Sequence, residues 1–430
     1  MANTKDILDV LIVGSGPSGL ILAKLFAKTT LHFKVFERNG EVGGIWNIDA
    51  PNSPMYESAH FISSRTLSGF IDFPMPEDYP DYPSHKQLFH YIKSYAEEFD
   101  LRKHITFNTS IDKAEQDQDG NWEVTLDSGK QMSARYLVCA NGVTWEPNIV
   151  HFEGEFSGDM YHSVKYRSTD EFKNKRVLIV GAGNSGIDIA CDASAAAEQA
   201  FLSVRRGYHF FPKHIMGKPS DVFAKEGPKL SHFLEVKVFG WMLKLINGDM
   251  KRYGLPEPDH KLFETHPIMN TQILHYLTHG DCIAKGDIEK LDGDSVVFKD
   301  GSREQIDVIV TATGYQHAIP FLADDTIEIK DGRPDLYLNI FSRKHKNLAL
   351  LGFIEFASAA YENFEKMAEL IVLDADSKSD KLAELKKSHR PDLKGGHSYL
   401  PTKRNANYVE VDTYLKELKK VKKQLGVPAG

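Results

Sequence analysis

Two copies of one glycine pattern constrain this chain more than any other feature. Asp9-Val-Leu-Ile-Val-Gly14-Ser-Gly16-Pro-Ser-Gly19 leads an apolar, β-branched run into Gly-x-Gly-x-x-Gly, and Leu20 to Lys28 then carries apolar residues at helical spacing. Strand, tight glycine turn and helix in that order form a dinucleotide cradle. Gly14 permits the turn and Gly16 lets backbone N–H groups approach a pyrophosphate. Gly19 lets the helix pack close to the strand, with its positive end aimed at the anion. The pattern returns at Arg176-Val-Leu-Ile-Val-Gly181-Ala-Gly183-Asn184-Ser185-Gly186. Any tight turn before a helix can mimic one copy. Two copies imply two nucleotide-binding modules.

The copies differ at the end of the next strand. In the first, an apolar run from His32 to Phe36 ends at Glu37, 18 residues past Gly19 and close to the roughly twenty expected of a carboxylate that accepts hydrogen bonds from ribose hydroxyls. In the second, Ala200 to Val204 ends in Arg205-Arg206. A carboxylate repels a 2′-phosphate, whereas a guanidinium pair binds one. The second module is therefore expected to take NADPH, and the first an adenosine ribose without that phosphate. The cofactor contacts read from the first module are Gly14, Ser15, Gly16, Pro17, Ser18, Gly19, Glu37 and Arg38. From the second they are Gly181, Gly183, Asn184, Ser185, Gly186, Ser203, Arg205 and Arg206.

Glu41-Val-Gly-Gly44-Ile45-Trp46 adds a further glycine turn able to lie against a flat or anionic ligand. Residues 51–83, rich in proline and aromatics, read as an ordered excursion over a pocket. Ser84 is expected to cap a helix running to about Phe99. Strands are expected at Ile105–Phe107 and, after an Asp119-Gly120 turn, at Trp122–Leu126. Arg135–Cys139 reads as a buried strand returning to the first sheet, with Cys139 a small core residue. Residues 207–285 read as mostly helical, and Ile288 to Phe298 as a hairpin about Gly293. The strand at Asp307–Thr311, closing on Thr313-Gly314-Tyr315, is expected to carry the chain back to the first module. Beyond it lie one strand (Leu348–Phe353), a helix from about Ala357 to Asp374 and a final amphipathic helix.

Bulk composition excludes several classes. A net charge of −8 offers nothing to nucleic acid or an acidic membrane. The three cysteines form no CxxC pair, which points to a reducing compartment and away from a disulfide framework or a zinc site. His260, His266, His275 and His279 match no short ligand motif, so no metal is expected. Met1 to Asp6 is too polar for a signal peptide. No stretch approaches the roughly 18 apolar residues of a membrane helix; Val236 to Ile246 is short and broken by Lys237, Gly240 and Lys244. Lys416, Lys419, Lys420, Lys422 and Lys423 read as a solvated helix face. The chain is expected in the cytoplasm.

With both glycine motifs placed, Phe156-Ser-Gly158-Asp-Met-Tyr-His162-Ser-Val-Lys-Tyr166 resembles the identifying stretch of flavin-containing monooxygenases. Glu41 to Trp46 looks like their second FAD loop. Asp72-Phe-Pro and Tyr82-Pro-Ser84-His85 resemble their pocket segment, Thr311-Ala-Thr-Gly-Tyr315 their Ala-Thr-Gly-Tyr, and Tyr408-Val-Glu-Val-Asp412 their Tyr-x-x-Val-Asp. Residues 204–255 look closest to bacterial members and the plant auxin-forming branch. The resemblance implies an α/β fold of two Rossmann-like dinucleotide-binding domains, the NADPH domain inserted in the FAD domain. The expected division is 1–168 (FAD domain, first part), 169–310 (NADPH domain with a helical insertion) and 311–430 (FAD domain, return, with C-terminal helices). Thr313 and Gly314 join the expected cofactor contacts.

The family's cycle delivers hydride from NADPH to FAD. It then forms a flavin hydroperoxide that gives oxygen to a soft nitrogen or sulfur of a small amine, sulfide or similar nucleophile. Many members carry Thr-Asn ten residues ahead of Asp-Phe-Pro; here Phe61-Ile62 stands there, with Ser63-Ser64 next. Ile62 offers no polar hydrogen, so either Ser63 or Ser64 substitutes or the peroxide is shorter-lived. His162 is the remaining candidate at the reaction centre, with a linker role fixing the angle between modules as the preferred reading. Baeyer–Villiger insertion is the alternative, although its fingerprint ends in Trp followed by Pro or Asp and Tyr166-Arg167 stands here. A disulfide reductase lacks its cysteine pair, and an uncoupled NADPH oxidase or a non-catalytic sensor is separable only by assay. A homodimer is the working expectation.

Overall fold

The computed structural model describes residues 7–426 except 52, 229–230, 331, 359 and 378–380; Met1–Asp6, the segment too polar for a signal peptide, lies outside the described residues. The first sheet has Ile7–Val13 at its centre, paired in parallel with Phe33–Phe36 on one side and Gln131–Cys139 on the other. Leu348–Leu350 continues it, also in parallel, beyond Gln131–Cys139. Parallel strands are covered on both faces, so they read as unbroken apolar runs. Val10, Leu11 and Ile12 are accordingly fully buried. The hairpin of Ile111–Gln116 and Trp122–Leu126 joins the same sheet antiparallel to Gln131–Cys139.

The second sheet is wholly parallel, in the order Cys282–Lys285, Gln199–Ser203, Arg176–Val180, Val308–Thr311, Asp159–His162. Each glycine pattern sits where expected, between a central strand and a helix: Pro17–Phe26 in one unit and Asn184–Ala196 in the other. The α/β class and the two-fold repetition of the Rossmann-like unit are present as read.

The junction between units differs from the expected boundaries. Residues 153–162 were assigned to the first unit. Glu153–Phe156 instead pairs with Ile288–Gly293, and Asp159–His162 with Val308–Thr311. These short strands carry no periodic signal, and their partners lie far along the chain. Thr311, expected on the return leg, is the last residue of a second-sheet strand. The return begins at once: Tyr315–Gln316 runs antiparallel to Glu146–Pro147, so the outgoing and incoming crossovers are zipped together.

Residues 207–285 are less helical than expected. Ser220–Glu226, His232–Asn247 and Gln272–His279 are helices, but 254–271 is irregular apart from isolated bridges. Pro256, Pro258 and Pro267 remove backbone donors there and disfavour helix before them. The helix after Ser84 forms as expected over His85–Glu98, with a full Ser84–Gln87 capping box. The C-terminal helix Val411–Gln424 buries Tyr414, Leu418 and Val421 against the core, and Lys422 pairs with Glu369 on helix Ala360–Asp376. Lys416, Lys419, Lys420 and Lys423 stay in solvent. Among the described residues no helix is long and apolar enough to cross a membrane.

The excursion at 51–83 is held to the second unit by side chains. Tyr56 donates to Asp188 at 3.2 Å, Ser58 donates to Asp192, and Tyr82 donates to the carbonyl of Lys213. It thereby roofs the space between the two sheets.

Candidate active site

A cavity of about 680 Å³ opens along the carboxyl ends of the first-sheet strands, the position where α/β folds bind ligands. Its floor is the first glycine turn. Gly14 has φ +98°, and a Cβ there would stand 2.6 Å from the carbonyl oxygen of Ala140. A Cβ at Gly19 would stand 1.9 Å from the Gly14 carbonyl, so only glycine lets this helix start so close to its strand. Gly16 faces Gly44 across the cavity, its missing Cβ 3.4 Å from the Gly44 Cα. Two glycine turns thus leave a cleft that side chains would fill. That cleft and the unpaired amides at the start of helix Pro17–Phe26 suit a pyrophosphate.

Gly14, Gly16, Pro17, Ser18, Glu37, Arg38, Gly44, Ile45 and Trp46 all line this cavity. Ser15 does not: it is fully buried and donates from backbone and side chain to Glu37. Glu37 is 5% exposed, with its other oxygen held by Asn39, so its carboxylate is fixed in place by the chain's own donors. Arg38 lies over the Trp145 ring at 5.5 Å.

Ser63 lines the cavity beside Phe61 and Ile62, and its Oγ accepts from the Ser68 hydroxyl at 2.8 Å. Ser64 is buried outside the lining, its backbone N–H donating to Asp221 at 2.7 Å. Of the two serines, only Ser63 reaches the cavity. His162 is 4% exposed and is not part of the cavity lining; it ends a strand of the second sheet. Its Nδ1 accepts from the Val164 N–H at 3.1 Å, and its Nε2 lies 3.0 Å from the Gly314 carbonyl. Both nitrogens are committed, so the geometry corrects the placing of His162 at a reaction centre. It ties the second sheet to the returning crossover.

Thr313 and Gly314, expected at a cofactor, also belong to that crossover: Thr313 Oγ1 donates to the Asn148 carbonyl at 2.6 Å, and neither lines the cavity. Their glycine-turn signal is real, with φ +83° at Gly314, but it serves the return of the chain.

The second glycine turn repeats the first. Gly181 has φ +109°, and a Cβ at Gly186 would stand 2.1 Å from the Gly181 carbonyl. Gly183 faces open space, with only Arg404 Nη1 at 3.7 Å from its missing Cβ. Asn184 Oδ1 accepts from the Met269 N–H at 3.0 Å, and Ser185 hydrogen-bonds Tyr56. Ser203 is turned inward, donating to the Gly286 carbonyl at 2.8 Å. Arg205 is exposed at the strand end, while Arg206 donates to Asp259 at 2.8 Å. Arg404, far downstream in the chain, is a cation beside this turn that sequence reading missed.

Other cavity residues were also missed. Thr109 and Ser110 come after the strand at Ile105–Thr106, and Gly352 after Leu348–Leu350; their place at carboxyl ends of sheet strands was the available signal. Asp221, His266, Pro267 and Met269 enter from the second unit, and no local pattern marks them. His266 is held near pKa 3 by burial and is neutral. Trp46, Phe61 and Tyr361 form an aromatic wall, the Trp46 indole donating to the Tyr361 hydroxyl at 2.9 Å and meeting Phe61 edge-on at 5.3 Å. Cys139 is fully buried and its thiol is pushed up by burial, which leaves it a core residue.

Comparison with known proteins places this geometry. The profile described as Flavin-binding monooxygenase-like matches residues 8–380. Flavin-containing monooxygenase 1 of Mus musculus is 34% identical over 84% of this chain and 73% of its own length. Dimethylaniline monooxygenase [N-oxide-forming] 2 of Macaca mulatta is 33% identical over 84% of this chain and 72% of its own. Among solved structures, an ε-caprolactone-bound cyclohexanone monooxygenase superposes with a TM-score of 0.75 at 18% identity, over 98% of this chain and 99% of that one.

Proposed function

The chain belongs to the flavin-binding monooxygenase-like family, an FAD- and NADPH-dependent group of oxidoreductases, and from that membership we propose that it oxygenates a nitrogen or sulfur atom of a small molecule. The observation that carries this reading is the cavity itself. Two opposed glycine turns open into an apolar, aromatic-walled space where the two nucleotide units meet. The N-oxide-forming relative supports nitrogen as one acceptor atom.

FAD would lie along the first unit and NADPH on the second. Bound there, they supply dioxygen activation and reducing equivalents, chemistry that no side chain provides. The protein's part is binding, orientation and dryness. Unpaired amides at the start of helix Pro17–Phe26, from Ser18 onward, hold the pyrophosphate. Glu37 accepts from the adenosine ribose in exchange for its Ser15 hydroxyl or Asn39 side-chain donor. Arg205 and Arg206 take the 2′-phosphate, with Arg206 exchanging its Asp259 partner. Phe61, Ile62 and Tyr361 exclude water from the reacting atoms, and Ser63 offers a hydroxyl next to Ile62. His162 keeps the crossover in register.

Baeyer–Villiger oxygenation is the second reading, favoured by the fold likeness to cyclohexanone monooxygenase. Tyr166, where that fingerprint carries Trp, is fully buried against Phe172 and donates to Asp192 at 2.9 Å. The enzyme is taken as cytoplasmic and as a homodimer, the latter checked by light scattering. Oxygen uptake with amines, thioethers, indole and ketones, scored by product mass, tests the function. N-oxide or S-oxide product supports it, lactone or ester product transfers it to the second reading, and NADPH loss yielding only hydrogen peroxide overturns both.

A further inference from the structure

We propose that Asp221 sets substrate specificity, drawing protonated amines into the cavity by their charge; the nitrogen passes its proton to the Asp221 carboxylate, which frees the lone pair that takes oxygen. The inference rests on the monooxygenase reading and names the class of nitrogen compound it serves.

Two carboxylates line the cavity, Glu37 and Asp221. They differ in how far their charge is spent. Glu37 takes four donors from Ser15 and Asn39. Asp221 takes one backbone N–H on each oxygen, from Ser64 at 2.7 Å and from Val222 at 2.9 Å. A carboxylate oxygen accepts two hydrogen bonds, so each keeps a free acceptor site. Among the described residues no Lys, Arg or His lies within ion-pair distance of Asp221. Of the other titratable groups at this end of the cavity, His266 is neutral, and Tyr82 is pushed up to about 12 by burial, with Asp221 adding to the rise.

The surroundings sharpen the charge. Asp221 reaches the cavity from helix Ser220–Glu226 of the second unit and grips the chain beside Ile62 and Ser63. The chain it grips carries Phe61 and Ile62 into the cavity, and Phe61 meets Trp46 and Tyr361 of the same lining. Asp221 is half-buried at the cavity wall, where a bound cation would meet a carboxylate with open acceptor sites and no competing ion pair. Aromatic faces attract the same kind of ligand, an alkylated ammonium. A thioether carries no charge and gains nothing from Asp221.

The test uses the FAD-loaded full chain. Asp221→Asn keeps an acceptor for the Ser64 N–H and removes the charge; Asp221→Glu keeps the charge and serves as the rescue variant. Benzyltrimethylammonium, which cannot be N-oxygenated, is titrated calorimetrically. N,N-dimethylbenzylamine and benzyl methyl sulfide, matched in shape, are compared as substrates. In D221N the ammonium dissociation constant should rise roughly tenfold, the loss of one charge-assisted contact. The kcat/KM for the amine should fall comparably, with the sulfide and the KM for NADPH unchanged, and D221E should recover binding. Equal loss on amine and sulfide, an effect confined to NADPH, or no effect overturns the inference while leaving the monooxygenase reading intact. Charge-dependent ammonium binding by a protein that oxygenates neither compound nor any other amine or sulfide would overturn that reading, and with it the substrate role of Asp221, while leaving Asp221 as a cation-binding group.

Discussion

The backbone N–H and the hydroxyl of Ser15 both donate to one carboxylate oxygen of Glu37, at 2.8 and 3.0 Å, across the mouth of the first glycine turn. The other oxygen holds Asn39 through its backbone N–H at 2.9 Å and its side-chain amide at 3.0 Å. The carboxylate proposed for the ribose is therefore held rigid by the chain's own bonds, and a ribose hydroxyl reaches it by displacing the Ser15 hydroxyl or the Asn39 amide. Glu37→Gln keeps the shape but replaces one acceptor oxygen by a donor facing Ser15 or Asn39. FAD should then dissociate roughly tenfold more readily, read by flavin release on dilution. Unchanged retention would remove Glu37 from the ribose site.

Past the strand that follows the second turn stand two guanidinium groups, Arg205 exposed and Arg206 paired with Asp259. Replacing Arg205 and Arg206 together by alanine should raise the KM for NADPH on the order of a hundredfold, as two charge-assisted contacts to a phosphate are lost. The KM for NADH should hardly move. A parallel rise for both coenzymes would show that the pair does not read the 2′-phosphate.

Ser63 reaches the cavity and Ser64 does not. Ser63→Ala should increase the fraction of NADPH oxidation that ends as hydrogen peroxide, and Ser64→Ala should leave that fraction alone. Peroxide quantified against product settles the point; a rise only in the Ser64 variant would reverse the assignment.

Lys24 is buried and clamps Asp72 at 2.7 Å and Glu365 at 2.6 Å, joining the first helix to the Asp72-Phe-Pro segment and to helix Ala360–Asp376. Lys24→Met strands a buried carboxylate and should lower stability by about 3 kcal/mol or more. Lys24→Met with Glu365→Leu should recover part of that loss, since the stranded charge goes too. Urea midpoints for both variants test this, and a double variant weaker than the single one would refute it.

Burial holds His317 near pKa 3, well below the ordinary value of about 6.5. Its folded pKa lies below its unfolded one, so the unfolded chain binds the extra proton. The stability this residue contributes is complete above pH 6.5 and is lost as pH falls from there toward 3. His266 behaves alike. His317→Asn should flatten the decline of stability between pH 6.5 and 4 by about one proton's worth. Denaturation midpoints across that range should show it; an identical slope in the variant would contradict the burial of a neutral imidazole.

What the sequence determined alone was everything local in origin. Glycine patterns, apolar runs and the Ser84 cap are short-range consequences of backbone sterics and periodic burial. They sufficed for the two Rossmann-like units, for the first-unit residues from Gly14 to Trp46 that line the cavity and for the acid–arginine contrast at Glu37 and Arg205-Arg206. Tertiary structure alone decided what depends on segments distant in sequence. It set His162 and Gly314 at the crossover, moved 153–162 into the second unit, and brought Arg404 to the second turn and Asp221 to Ser64. Such contacts leave no period in the chain, because their geometry is fixed by how two sheets and a proline-rich roof pack together.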